Sequence, residues 1–241
     1  IYDKKLNSKE MFVICKILLA SRCLTQKEMS EILRKLIKTC IPLEDQKLIT
    51  ELISNEEFHY VEPRHKVIFV DNMWEIGQAI HDQHYIEIEY EKTKNEKTII
   101  RKVKPAAILF SEYYFYMISF ATPELEREKF KRVEDSLLVI YRLDKIKNLK
   151  VLEERFQVPY AERFEEGEFR KRVQFMQNGP LQKVKFKYNG KSVEEVLDRI
   201  PTSRVLQENE DGAIIEAEVF GDGIKMWIRS QGELISEVSY R

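Results

Sequence analysis

Glycine and proline are scarce in this 241-residue chain, at 8 and 7 residues, and cysteine is scarcer still at 3. So little glycine and proline excludes collagenous and low-complexity classes, and 43% hydrophobic residues exclude a disordered chain. The three cysteines, Cys15, Cys23 and Cys40, all fall in the first 40 residues, and their spacing matches no metal motif. An odd number so placed makes no disulfide framework, which points to a reducing cytoplasm. Net charge is missing too. The 40 Lys and Arg face 41 Asp and Glu, for a formal charge of -1, which excludes a protein that coats nucleic acid by bulk attraction. Long apolar runs are also absent. The longest, Met11 to Ala20, is broken by Lys16, is too short for a bilayer and lacks a signal-peptide cleavage pattern, so no membrane association is expected. The chain opens on Ile1 rather than Met, which suggests a fragment with sequence removed upstream.

Catalytic signatures are absent as well. There is no nucleophile elbow, P-loop, dinucleotide glycine pattern or zinc signature. The four histidines are His59, His65, His81 and His84. His81 and His84 stand three apart, a spacing that can place two metal ligands on one helical face, but no third ligand is near them in sequence. They read as solvated or hydrogen-bonded histidines. The acid pairs Glu165–Glu166 and Glu194–Glu195 lie in charge-rich stretches and read as solvated faces, since acid–base catalysis needs carboxylates in a dry cleft. No catalytic residue, metal site or cofactor is expected, and an enzyme is not the favoured reading.

What the chain does have is an uneven distribution of charge. Residues 1–96 carry 14 basic and 17 acidic side chains, residues 97–150 carry 12 and 7, and residues 151–241 carry 14 and 17. A segment of +5 is therefore flanked by two of -3, an asymmetry that suits an anionic partner.

Hydrophobic periodicity divides the chain further. Residues 1–80 read as a helical linker or dimerisation region. Asn7 with Glu10, and Thr25 with Glu28, form capping boxes ahead of apolar stripes at helical spacing. Pro42 stops the second helix, Leu48, Ile49, Leu52 and Ile53 mark a third, and Asn72 with Glu75 opens a short fourth from about Met73 to His81. From Tyr85 the period becomes two. Strands are predicted at Tyr85–Tyr90, Thr98–Phe110 with a bend at Pro105, Tyr113–Phe120, Leu137–Leu143 and Lys147–Leu152. Five short sequential strands predict a small closed barrel over residues 81–156. Residues 157–180 read as a charged, partly helical linker. Residues 181–241 alternate β-α-β-β-α-β around an Asp211–Gly212 turn, the order of a ferredoxin-like unit. The fold class is α+β.

The basic segment interleaves cations with aromatics. Arg101, Lys102 and Lys104 precede Pro105, Arg142, Lys145, Lys147 and Lys150 come later, and Tyr113-Tyr114-Phe115-Tyr116 lies between. Cations neutralise phosphate and aromatic faces stack bases, which is how single strands are gripped. The bland alternative is that the aromatics alternate between core and surface while the cations only solubilise.

Five stretches, in order, carry a resemblance: Tyr85-Ile-Glu-Ile-Glu-Tyr90, Arg101-Lys-Val-Lys-Pro105, Phe115-Tyr116-Met117, Tyr141-Arg-Leu-Asp-Lys-Ile146 and Phe156. Together they resemble the signature of a WYL domain, whose eponymous Trp-Tyr-Leu falls on Phe115, Tyr116 and Met117. The resemblance implies an SH3-like or Sm-like barrel that binds nucleic acid or another anionic effector. It also implies a bacterial transcriptional regulator whose N-terminal helix-turn-helix domain, which binds DNA, is missing from this sequence. Residues 1–80 are similar to the helical segment that precedes the WYL domain in such regulators, and residues 170–241 to their C-terminal extension. On this resemblance the effector site uses Tyr116, Arg101 and Arg142, with Lys145 in a second cation position and Ser119 as a hydrogen-bond donor. A homodimer is expected, because such regulators match two-fold operators. Two other classes stay open: an enzyme acting on nucleotides or nucleic acid, and a protein-binding adaptor.

Overall fold

The computed structural model describes residues 6–92, 98–121, 138–160, 163–209 and 212–241. Two capping boxes start the chain. Asn7 accepts from the Lys9 and Glu10 amides while Glu10 accepts from the Asn7 amide, which opens α1 (Ser8–Ser21). Thr25 and Glu28 repeat the device ahead of α2 (Gln26–Cys40). Each box satisfies amides that a helix start would otherwise leave without partners. After Pro42 comes α3 (Leu43–Phe58), nearly three turns longer than its apolar positions mark, and it packs on both earlier helices. The fourth helix, α4 (Val70–Asp82), starts before Asn72, which is therefore not its cap.

Five strands follow: β1 (His84–Glu91), β2 (Thr98–Ser111), β3 (Tyr114–Phe120), β4 (Leu138–Arg142) and β5 (Ile146–Arg155). Every pairing is antiparallel, in the order β4-β3-β2-β1-β5. Long β2 serves two arms. Its first half pairs with β1 and its second with β3, and the register slips between Pro105 and Ala107 where the proline bends it. No ladder joins the edge strands β4 and β5 among the described residues, and a 3-10 turn over Leu143–Lys145 links them. Among the described residues the sheet is not closed by hydrogen bonds, so the expectation of a closed barrel is not met. The charged segments 93–97 and 122–137 lie outside the described residues.

The inner face of this sheet and the four helices share one core. Met11, Cys15, Leu33, Ile53 and Ile76 pack with Ile86, Ile88, Val103 and Met117. Burial on this scale, at about 25 cal/mol per Å² of apolar surface, makes the helices part of the same folding unit. The outer face of β2–β4 is covered separately. Ala107, Leu109 and Ile118 pack under Phe169 of α5 (Glu166–Arg172), Val173 and Met176. That helix lies within the expected linker.

The C-terminal unit runs β6 (Leu181–Tyr188), α6 (Glu194–Arg199), β7 (Arg204–Asn209), β8 (Gly212–Phe220), α7 (Gly223–Ser230) and β9 (Ile235–Tyr240). Its sheet order is β7-β8-β6-β9, so each helix connects strands with another strand between them. Phe186, Ile215, Ile224 and Trp227 form its core. The expected β7–β8 hairpin is present, with Asn209 opposite Gly212, whereas Asp211 lies outside the described residues. Ser192 does not cap α6, which has Val193 at its cap position and no side-chain cap bond. No helix among the described residues is long and apolar enough to cross a membrane.

Candidate anion-binding site

Strand alternation builds the site. Tyr114, Tyr116, Ile118 and Phe120 of β3 share one face, and Phe115, Met117 and Ser119 share the other. On β4 the partners of the first set are Arg142 opposite Tyr116, Ile140 opposite Ile118, and Leu138 opposite Phe120. Helix α5 covers the middle of this face and leaves the Tyr116–Arg142 end partly open. The aromatic run thus divides between core and surface. Phe115 packs inward against Phe69, at a ring separation of 5.7 Å, and Tyr113 meets Arg22 at 5.0 Å.

Arg142 is held from two sides. Its Nε donates to Asp144 Oδ1 at 3.0 Å and its Nη2 to Oδ2 at 2.8 Å, while the guanidinium lies 3.5 Å from the centre of the Tyr114 ring. The Asp144 side chain is only 2% exposed and that of Arg142 27%. A fork bound in this way uses one edge of the guanidinium and presents its remaining N–H groups in fixed directions. Burial by itself would pull the Arg142 pKa down, but the Asp144 bonds and charge, with Tyr114 and Tyr116 nearby, push it above the ordinary value. Burial raises the hydroxyl pKa of Tyr116 and Tyr90, so both stay protonated donors at neutral pH. The Tyr90 hydroxyl accepts from the Arg142 amide at 3.4 Å, and its ring packs edge-on to Tyr141.

His65 reaches the same cluster from the connection between α3 and α4. Its ring lies 6.1 Å from Tyr114 and 6.3 Å from Phe69. The Val67 amide donates to His65 Nδ1 at 2.9 Å, which places the proton of the neutral ring on Nε2. Burial lowers the His65 pKa below the usual histidine value, and the Asp144 charge opposes that shift. Tyr60 on the same connection bonds the Leu24 carbonyl at 2.8 Å, and Arg22 bonds the Val61 carbonyl at 2.9 Å. A single segment therefore ties the cluster to α1 and α2.

The five residues expected at the site separate. Tyr116 and Arg142 come together as cross-strand neighbours. Lys145 ends the 3-10 turn and pairs with Glu91 at 3.2 Å, a carboxylate shared with Lys147 at 2.6 Å. Those two cations, Lys147 first, hold Glu91 below the usual carboxylate range. Ser119 is a correction. It is fully buried on the opposite face, and its hydroxyl donates to the Lys104 and Phe120 carbonyls at 2.9 and 3.1 Å, so it is a strut of the β2–β3 bend rather than a donor to a ligand. Arg101 stands opposite Ile88 in the β1 arm of β2, while Leu109 in the other arm is the partner of Tyr116. The ladders do not bring Arg101 beside the Tyr116–Arg142 pair. Among the other cations, Lys102 pairs with Glu154 and sits 4.5 Å from the Tyr85 ring.

Asp144, Tyr114 and His65 join the site as well. Asp144 had a signal, an acid two residues after the arginine across a predicted strand end. Tyr114 had one in the period-two spacing from Tyr116. His65 had none, because 77 residues separate it from Arg142 in the chain and only the fold brings them together.

Comparison with known proteins matches part of the chain to a family. Residues 71–151 match the family model described as WYL domain. No curated protein matches the chain. Among solved structures, the proteasome accessory factor B/C (PafBC) of Arthrobacter aurescens is similar at 12% identity and a TM-score of 0.38, over 94% of this chain and 30% of that one. A CRISPR Cas-related protein is similar at 16% identity and a TM-score of 0.42, over 97% of this chain and 69% of that one. This chain therefore spans less than a third of the PafBC chain. The Arg142 clamp, Tyr116 and the five-stranded sheet all lie within the matched segment or at its edge, and residues 71–151 of this chain are a WYL domain.

Proposed function

We propose that this chain is the ligand-sensing portion of a bacterial transcriptional regulator. Its WYL domain, an SH3-like or Sm-like unit by strand order, takes a nucleic acid or another anionic effector at Tyr116 and Arg142. The C-terminal unit is proposed to be ferredoxin-like, a reading its β7-β8-β6-β9 order supports. DNA is read by a domain outside this sequence, the protein works in the cytoplasm, and it is not an enzyme. Arg101 and Lys145 are proposed to add long-range positive field rather than direct grip.

The observation that carries the reading is the clamped guanidinium. A bidentate bond to buried Asp144 and stacking on Tyr114 hold Arg142 in one geometry before any ligand arrives. An arginine so fixed loses little side-chain freedom on binding phosphate or carboxylate. Tyr116 beside it supplies a flat aromatic face and a protonated hydroxyl. The connection through His65 and Tyr60 gives occupancy a physical route to α1 and α2.

Homodimerisation is proposed through the helical region. Val13 and Ile17 on α1, and Leu48 and Leu52 on α3, are each more than half exposed. Apolar side chains one turn apart on two helices are what a second copy would cover.

The test is native mass spectrometry of the purified chain, followed by chemical identification of what leaves on denaturation. The proposal expects an anion that is retained by Lys102→Gln and lost from Arg142→Lys, since lysine keeps the charge beside Asp144 but not the fork. A neutral or cationic ligand, or one retained equally by both variants, contradicts it.

A further inference from the structure

The face that carries Tyr116 and Arg142 does not end there. Four residues further along β3, roughly 13 Å at 3.3 Å per residue, it reaches Phe120, with Leu138 and Lys104 opposite it. There, between the sheet, the chain leaving β5 and helix α5, lies a cleft of about 1080 Å³. Pockets for small organic ligands run roughly 300–1,000 Å³, so this one can take a whole molecule of that kind. None of Tyr116, Arg142, Lys145, Ser119 or Arg101 lines it.

The lining has two chemical parts. Phe120, Leu138, Phe164, Phe169 and Phe220 make an apolar wall, in which Phe169 stacks on Phe220 at 5.9 Å and packs against Phe164 at 5.3 Å. The charges at the rim do not cancel. Glu168 is committed to Lys171 and Arg172, each at 2.6 Å, and these bonds push its carboxyl down to about 2. Arg172 is in turn committed to Glu168 and its carbonyl. That leaves Lys104 and Arg163 without an acidic partner among the described residues, against Glu165. Lys104 faces the Tyr85 ring at 5.9 Å and Arg163 faces the Tyr160 ring at 5.0 Å. Tyr160 is 84% exposed, a large aromatic surface left in water beside a cation at the mouth.

The geometry points to a second binding site in this cleft, for an organic anion with an apolar body, an aliphatic or aryl carboxylate. The phenylalanine wall takes the body, and Lys104 and Arg163 take the carboxylate. A nucleotide fits less well. The wall offers aliphatic and aromatic surface but few buried polar groups to read a base edge. The site is separate in residues from the one at Arg142, though both lie on the outer face of the same two strands under α5.

The experiment is a fluorescence titration of the full chain with 8-anilinonaphthalene-1-sulfonate, an aryl anion that brightens on leaving water. Displacement by decanoate and by decanol follows. One saturable site is expected, emptied by decanoate at concentrations where decanol has little effect. The double variant Lys104→Gln/Arg163→Gln, at exposed or half-buried positions, keeps the unfolding temperature and loses about tenfold in affinity. Arg142→Lys leaves the titration unchanged. Equal affinity in the double variant, or equal displacement by decanol, overturns the proposal. A loss confined to Arg142→Lys also overturns it, and assigns the anion to the Arg142 site instead. Since the Arg142 site has its own variant, either site can fail while the other stands.

Discussion

Removing Arg142 costs this protein more than removing the aspartate that holds it. In Arg142→Ala the Asp144 carboxylate, 2% exposed, is left buried with no cation. Stranding a buried charge costs about 3–5 kcal/mol. In Asp144→Ala the charge left behind is a guanidinium that is 27% exposed and still lies on the Tyr114 ring, so the loss is that of a charged hydrogen-bonded pair, about 1.5–3 kcal/mol. At about 2–4 °C per kcal/mol for a chain of this length, Arg142→Ala lowers the unfolding temperature by roughly 6–20 °C. The double variant Arg142→Ala/Asp144→Ala removes both charges, and it unfolds above Arg142→Ala alone. Scanning calorimetry of the three variants at neutral pH measures all of this. If Asp144→Ala is the more damaging change, or if the double variant loses the sum of the singles, the clamp is not a desolvated pair and the argument for a preset arginine fails.

Other expectations follow from single positions. Gly77 sits inside α4 with nothing within 4 Å of where a Cβ would go, so Gly77→Ala raises stability by about 0.5–1 kcal/mol, readable as a small rise in unfolding temperature. Gly223 opens α7 with the Gln174 carbonyl oxygen 1.9 Å from an added Cβ. Gly223→Ala must move the backbone there, and it lowers the unfolding temperature of the C-terminal unit by several degrees. The His65 imidazole is held below its ordinary 6.5 by burial, so the unfolded chain takes up the proton first. Stability is flat above that pH and falls as pH drops through 6.5 toward the folded value. Unfolding temperatures at pH 7.5 and 5.5 show a smaller loss in His65→Gln than in the unaltered chain.

Much of this architecture is legible in the residues. The capping boxes Asn7–Glu10 and Thr25–Glu28 start helices because their bonds are local, and a local signal survives any tertiary context. The two-residue period from Tyr85 marks strands for the same reason. Boundaries set by packing were harder to read. Helix α3 runs well beyond its stripe because it packs on α1 and α2, and β5 extends to Arg155 because β1 offers it partners. Closure of a sheet is not a property of any one strand, so strand count alone could not decide whether β4 and β5 pair. At the site, Tyr116 and Arg142 are named by the WYL resemblance alone, and the β3–β4 ladder places them opposite each other. Ser119 faces away from Tyr116 because odd and even residues of a strand point to opposite sides, and the order of residues alone does not say which side is inward. The clamp itself depends on burial of Asp144, which composition does not reveal.

The central claim is that a preset arginine on the WYL domain grips an anion, and it is tested by binding of a fluorescein-labelled single-stranded oligonucleotide followed by anisotropy from 50 to 200 mM salt. The account predicts that log affinity falls linearly with log salt, by about 0.7 for each phosphate neutralised. It also predicts that Arg142→Lys binds at least tenfold more weakly with its unfolding temperature nearly kept. Binding that ignores salt, or that Arg142→Lys leaves unchanged, would contradict it.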